Sequence, residues 1–119
     1  MREKIKDYDR LLHIHESIDN VFEFMEGKTI DDLTKDKLLF YGVVKNVEII
    51  GEAAYMLTKD FISNHPDTPW IDIIGMRHVL VHGYYTVEPI DLWKVVQNDI
   101  PVLRPQIAHL FETVDFPEE

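Results

Sequence analysis

Residues 11–27 read Leu-Leu-His-Ile-His-Glu-Ser-Ile-Asp-Asn-Val-Phe-Glu-Phe-Met-Glu-Gly. Leu11, Ile14, Ile18, Val21, Phe22 and Met25 recur at steps of three and four, the spacing that gathers side chains on one face of an α-helix. Lys4, Lys6, Asp7, Asp9, Arg10, Glu16 and Asp19 fill much of the remaining surface. Gly27 follows the last apolar position, where a helix commonly stops. A strand would need alternation of period two, which this stretch lacks.

The same period returns along the chain. Thr29 to Asp36 is polar, with Thr29 or Asp31 placed to cap a short turn. Phe40, Val43, Val44, Val47, Ile50, Ala54, Leu57 and Phe61 then trace a second, longer stripe. Gly51 lies inside it, where glycine costs about 1 kcal/mol relative to alanine. Close packing of another helix explains a glycine there. Asn64-His65-Pro66-Asp67-Thr68-Pro69 is a break. Thr68 then Pro69 reads as N-cap then first helical position, so a third helix is expected near Trp70. It carries Ile71, Ile74, Val79 and Val81 and runs into Gly83. Pro89 opens a fourth helix with Leu92, Trp93, Val95 and Val96, which Pro101 is expected to end or kink. A last helix carries Leu103, Ile107, Leu110 and Phe111 ahead of an acidic tail. Four to five helices with short connections predict an all-α, mostly antiparallel bundle, a single domain over residues 1–119.

Composition sets the outer limits. Apolar residues make up 45% and charged residues 29% of the 119, a globular balance and not that of a disordered chain. Cysteine is absent, which excludes disulfide and thiolate chemistry and fits a reducing cytoplasm. The N-terminus carries no apolar signal-peptide core, and no apolar run approaches the roughly 20 residues a membrane helix needs. A cytoplasmic protein with no membrane partner is expected. Net charge is −10, from 22 acidic and 12 basic residues. Phosphate contacts ordinarily need a basic footprint, so any nucleic-acid chemistry requires a local positive site, one that a subunit interface can supply.

The chemistry-bearing residues concentrate in Gly75-Met76-Arg77-His78-Val79-Leu80-Val81-His82-Gly83-Tyr84-Tyr85. Arg77 offers a fixed charge and a fork of donors suited to phosphate oxygens. His82 offers a proton donor and acceptor that titrates near neutrality. Tyr84 offers a hydroxyl. At 100° per residue, Arg77 and His82 stand about 140° apart around an ideal helix, while Arg77 and Tyr84 nearly share a face. A helix that unwinds after Val81 would free His82 to swing toward Arg77, so His82 is expected on the last turn or at its end. Each residue also has an ordinary reading. A lone arginine is usually an ion-pair partner, a histidine near a helix end usually answers the helix dipole, and the tyrosines can simply pack.

Two further patterns were weighed. His78 and His82 stand at i, i+4, a spacing that suits two metal ligands. Glu48, Glu52, His13 and His15 are the candidates to complete a set, but the one further histidine pair, His13 and His15, is only two residues apart, so no metal and no cofactor are expected. Glu48 and Glu52 are like charges at i, i+4, which repel weakly on an exposed helix. The sharper expectation is that one of them orients Arg77 from the neighbouring helix, with Glu52 the supporting residue.

Taken together these residues resemble a known family. Arg77, four intervening residues, His82, Gly83 and Tyr84 are similar to the Arg-x4-His-x-Tyr motif of the HepT-like branch of the HEPN family. Glu48-Ile49-Ile50-Gly51-Glu52-Ala53 resembles that family's helix-two signature. Pro69-Trp70 with Ile74-Gly75-Met76-Arg77 resembles its entry to the motif helix, and Trp93 with Asn98-Asp99-Ile100-Pro101 resembles the segment after it. The likeness covers about residues 8 to 112. His78 departs from it, standing where asparagine is commonest. The resemblance implies a HEPN-like bundle, a homodimer whose motif helices face each other across a cleft, and metal-independent RNA cleavage. It implies Arg77 and His82 as catalytic residues with His78 in support, and a cognate minimal nucleotidyltransferase antitoxin able to transfer AMP to Tyr84. The competing class is a non-catalytic module that binds a nucleotidyltransferase or a nucleotide. The acidic balance favours that class, and the joint presence of Arg77, His82 and Tyr84 favours the ribonuclease. A bare dimerisation domain would leave the Arg77–Tyr84 cluster unexplained.

Overall fold

The computed structural model of the chain describes residues 2–82 and 88–116, with side chains for 6–77 and 88–116. These residues form helices and no strand. The order is α1 (Arg2–Met25), α2 (Ile30–Lys35), α3 (Lys37–Tyr55), α4 (Lys59–Asn64), α5 (Trp70–His82), α6 (Pro89–Lys94), a π turn (Val95–Asp99) and α7 (Ile100–Thr113). The protein has an all-α, HEPN-like fold.

The opening stripe is the spine of the core. Leu11, Ile14, Ile18 and Val21 are buried, each such burial stabilising the fold by roughly 1.5–3 kcal/mol relative to exposure. After α1, Gly27 adopts φ 73°, the left-handed conformation a glycine reaches without steric cost. Thr29 caps α2 reciprocally: its hydroxyl accepts from the Asp32 N–H, and the Asp32 carboxylate accepts from the Thr29 N–H at 2.8 Å. That backbone bond, with the Thr29 hydroxyl behind it, holds the Asp32 carboxyl below its ordinary range. The polar connection expected as a turn is therefore a six-residue helix.

α1 packs on α3 and on α7, and α3 packs on α5. Direction follows from the cross-links. Asn20 donates to Asn46, Thr58 donates to Asp7, and Arg104 donates to Asp19 while Tyr8 meets Phe111. Low numbers on α1 thus face high numbers on both neighbours, the antiparallel arrangement that short connections require.

Three details differ from the sequence expectation. The second stripe does not run unbroken to Phe61; α3 stops at Tyr55, and Thr58 caps a separate α4. The cause is tertiary. Asp7, 2% exposed, accepts both the Thr58 N–H at 2.9 Å and its hydroxyl at 2.7 Å, which diverts the backbone while Leu57 and Phe61 stay buried. On α5, Ile71 is 87% exposed, and among its described side chains the buried ones are Trp70, Ile73 and Met76. The helix starts at Trp70 as expected, but its cap is Pro69 and not Thr68, because the Ile73 N–H bonds the Pro69 carbonyl.

Pro101 does not end the fourth helix. Ile100 donates to the carbonyl of Val95, five residues back, so the chain widens into a π turn and continues as α7. The wider turn accommodates a proline, whose ring clashes with the carbonyl four residues earlier in a regular helix. Asp99 closes this turn, and its carboxyl is pushed above the ordinary 3.8, first by desolvation and then by the charge of Asp72. The folded state therefore holds that proton to higher pH than the unfolded chain, and stability falls as pH rises through the window above 3.8. Asp99→Asn is expected to stabilise the protein at pH 7 and to change nothing near pH 3, where both states are protonated. Both carboxylates reach solvent, so screening limits the gain to about 0.5 kcal/mol or less. Urea unfolding at the two pH values measures it.

Candidate active site

Arg77 lies where α5 crosses α3 at Gly51. A Cβ built on Gly51 would stand 2.9 Å from both the Cβ and the backbone nitrogen of Arg77, and 3.3 Å from its Cα. Only a glycine permits that approach. The close packing expected from a glycine inside α3 is thus present, and its partner is the motif arginine itself.

The approach lays the Arg77 side chain along the next turn of α3. Nη1 donates to Glu52 Oε2 at 3.3 Å and, more weakly, to Oε1 at 3.5 Å. The guanidinium carbon sits 3.8 Å from the centroid of the Tyr55 ring, within cation–π range. Glu52 and Tyr55 are three residues apart and share a helix face, so one turn of α3 supplies both a carboxylate edge and an aromatic floor. Tyr55 was not anticipated from the sequence. Its signal was its i+3 spacing from Glu52 and its i+4 spacing from Gly51, legible only once Gly51 is known to mark the crossing.

The energetics do not explain the arginine as a stabilising ion pair. Glu52 is 54% exposed and Arg77 19%, and pairs with one solvated partner contribute about 0–1 kcal/mol. Among the described residues Arg77 Nε is buried with no acceptor, and a buried donor left unpaired costs about 1–3 kcal/mol. Among the described contacts the guanidinium is held in place at no clear gain in stability, beside a carboxylate that is more than half exposed. Glu48, one turn earlier, pairs with Lys45 at 3.8 Å, so the two like charges of the i, i+4 pair are each offset by a separate cation.

α5 is helical through His82, so His82 stands at the end of the helix as expected, with the backbone still helical at His82 itself. The backbone of His82 thus stands about 140° round and about 7.5 Å along from Arg77, as helical geometry sets it. His78 lies on the same helix, one residue after Arg77. The side chains of His78 and His82, and Tyr84 and Tyr85 entirely, lie outside the described residues. The described residues therefore bring Arg77 and Glu52 together, and add Tyr55 to them. His13 is exposed on α1, and His15 lies 3.4 Å from Asp19 and against Phe111. Among the described residues no three His, Asp or Glu side chains converge as metal ligands, and no helix is long and apolar enough to cross a membrane.

A groove of about 530 Å³ opens elsewhere, between α1 and the π turn, bounded by Phe22, Met25, Val96, Ile100 and Arg104. Its one guanidinium is already committed, to Asp19 at 3.2 Å and to the Phe22 ring at 4.2 Å. The candidate site is therefore the cluster around Arg77 and not the hollow.

The model of the family "Ribonuclease HepT-like" matches residues 14–110. Similar proteins include "Putative RNase" of Methanocaldococcus jannaschii, 34% identical over 97 residues that are 82% of this chain and 89% of the relative. "Probable ribonuclease HepT" of Thermococcus cleftensis is 37% identical over 110 residues, 92% of this chain and 98% of the relative. "Gamma-glutamylcyclotransferase and putative RNase", also of M. jannaschii, is 37% identical over 115 residues, which are 97% of this chain and 51% of that longer protein. No solved structure matches the chain.

Proposed function

Because the chain belongs to the HepT-like ribonuclease family, we propose that it is a metal-independent endoribonuclease toxin built on Arg77 and His82 and neutralised by a cognate nucleotidyltransferase antitoxin. One observation carries this reading: the guanidinium of Arg77 is held against Tyr55 by a helix crossing that only Gly51 allows, with Glu52 3.3 Å from one edge of it. A guanidinium so fixed is preorganised for charge developing on a phosphate.

RNA carries its own nucleophile, so a base and a cation suffice. His82 takes the proton of the 2′-OH, and the 2′-oxygen attacks the adjacent phosphorus. The P–O5′ bond breaks, and the leaving oxygen takes a proton back from the imidazolium. The products are a 2′,3′-cyclic phosphate and a free 5′-OH. Arg77 offsets charge on the non-bridging oxygens, Glu52 orients Arg77, and His78 assists as a second proton carrier or by ordering it. About 140° of helix separates Arg77 from His82, which supports a homodimer in which a phosphate meets groups from two facing α5 helices. The cytoplasm is where such an enzyme meets its RNA.

The test of activity is cleavage of RNA by the purified chain in EDTA, with the cyclic phosphate end identified by mass. A net charge of −10 supports a second reading, a non-catalytic module that binds the nucleotidyltransferase or a nucleotide, and a wild type without cleavage would leave that one standing. Regulation has its own test. Transfer of AMP from ATP to the Tyr84 hydroxyl, with loss of pyrophosphate, would set bulk and negative charge near Arg77 and exclude RNA. Intact mass after incubation with antitoxin and ATP is expected to rise by one adenylyl group or more, and not to rise in Tyr84→Phe. A gain that survives in Tyr84→Phe moves the modification to another residue, Tyr85 first.

A further inference from the structure

We propose that the outer face of Tyr55 is a stacking platform for an unpaired RNA base beside the phosphate that Arg77 contacts. This rests on the ribonuclease reading of Arg77 and names how that site holds its substrate. The inner face of the ring carries the Arg77 guanidinium at 3.8 Å, yet Tyr55 remains 53% exposed. An aromatic ring covered on one face and still half exposed presents its other face to solvent. The guanidinium and a base stacked on the far face would be separated by a single ring, a spacing of the order that one nucleotide's sugar spans between phosphate and base.

The charge balance explains why such a platform is needed. Nucleic-acid affinity usually comes from many phosphate contacts, and a chain of net charge −10 whose site arginine is shared with Glu52 has few to offer. Stacking supplies affinity without positive charge and tolerates any base, because every base has a π face. It also requires the base to be unpaired, which restricts the substrate to single strands and loops.

The probe is a fluorescein-labelled 2′-O-methyl oligoadenylate, which binds but cannot be cleaved, together with an abasic strand of equal length. Tyr55→Phe keeps the ring and is expected to bind the oligoadenylate as the wild type does. Tyr55→Leu is expected to bind it roughly 5- to 100-fold more weakly, the scale of one lost base stack, and to lose clearly less affinity for the abasic strand, where only the contact with Arg77 is disturbed. Affinity for the oligoadenylate should fall only shallowly with salt, with a log–log slope of about −0.7 for each phosphate neutralised. Equal binding by Tyr55→Leu and wild type overturns the platform. So does an equal loss on the abasic strand, which would make Tyr55 a positioning residue for Arg77 and nothing more. Cleavage is read separately on natural RNA: activity lost in Arg77→Ala with no base-dependent effect at Tyr55 rejects the platform alone, and base-dependent binding without cleavage by any variant rejects the ribonuclease reading alone.

Discussion

Arg77→Ala is expected to lower RNA cleavage by about 100- to 1000-fold, the usual consequence of removing one group that stabilises transition-state charge. His82→Ala is expected to cost about 100- to 10,000-fold, the range of a general acid–base residue. Neither change should unfold the protein. Arg77 takes part in a half-solvated ion pair, and its Nε finds no acceptor among the described residues, so its removal forfeits little stability. His82 is at the end of α5, where alanine is the best helix former. The double variant should be little worse than the poorer single one, because groups that act as a unit are not additive. Arg77→Lys separates charge from shape: it keeps the cation but loses the planar fork that stacks on Tyr55 and bonds Glu52, so recovery should be partial. The measurement is the initial rate on a defined RNA in EDTA, with helical circular dichroism as the folding control. Rates in both single variants equal to wild type would assign the cleavage to a contaminant.

What the sequence disclosed about this site depended on whether its signal was local. The α1 stripe was legible because burial on one helix face is a local pattern, and Gly27 because only a glycine takes φ 73° without cost. Gly51 was legible in the same way: a residue that weakens its own helix must be answered by a neighbour. The break after Tyr55 was not legible. Leu57 and Phe61 continue the apolar period and are both buried, and the divergence is imposed by Asp7, which is 51 residues away in the chain. Of the two outcomes expected at Pro101, an end or a kink, the helix does not end, because a π turn absorbs a proline that a regular turn could not. Tyr55 fell between these cases. Nothing in its own neighbourhood distinguishes it from a packing tyrosine, and only the Gly51–Arg77 crossing turns it into the floor of a site.

That crossing makes Gly51→Ala the variant with the sharpest consequence for the whole argument. In an unencumbered helix the change is stabilising by about 1 kcal/mol, since alanine is the better helix former. Gly42, on the same helix, fits that rule: an added methyl would meet only the Phe24 ring at 3.5 Å, an ordinary contact. At Gly51 the methyl would lie 2.9 Å from the Arg77 backbone nitrogen and Cβ. Backbone cannot rotate aside as a side-chain tip can, so α5 itself must move. Overpacking of this kind costs about 1–3 kcal/mol, enough to cancel or reverse the helix gain, and the net loss of stability should be no more than about 2 kcal/mol. The larger effect falls on activity. A shift near 1 Å carries Arg77 off Glu52 and Tyr55, and misplacement on that scale costs about 100-fold in rate. The expected pattern is a folded Gly51→Ala with cleavage reduced about 100-fold, beside a Gly42→Ala that is as active as wild type and slightly more stable. Thermal unfolding and initial rates on the same preparations decide it. A Gly51→Ala with a raised melting temperature and wild-type rate would mean that the helices tolerate separation there, and that the position of Arg77 against α3 has no part in the chemistry.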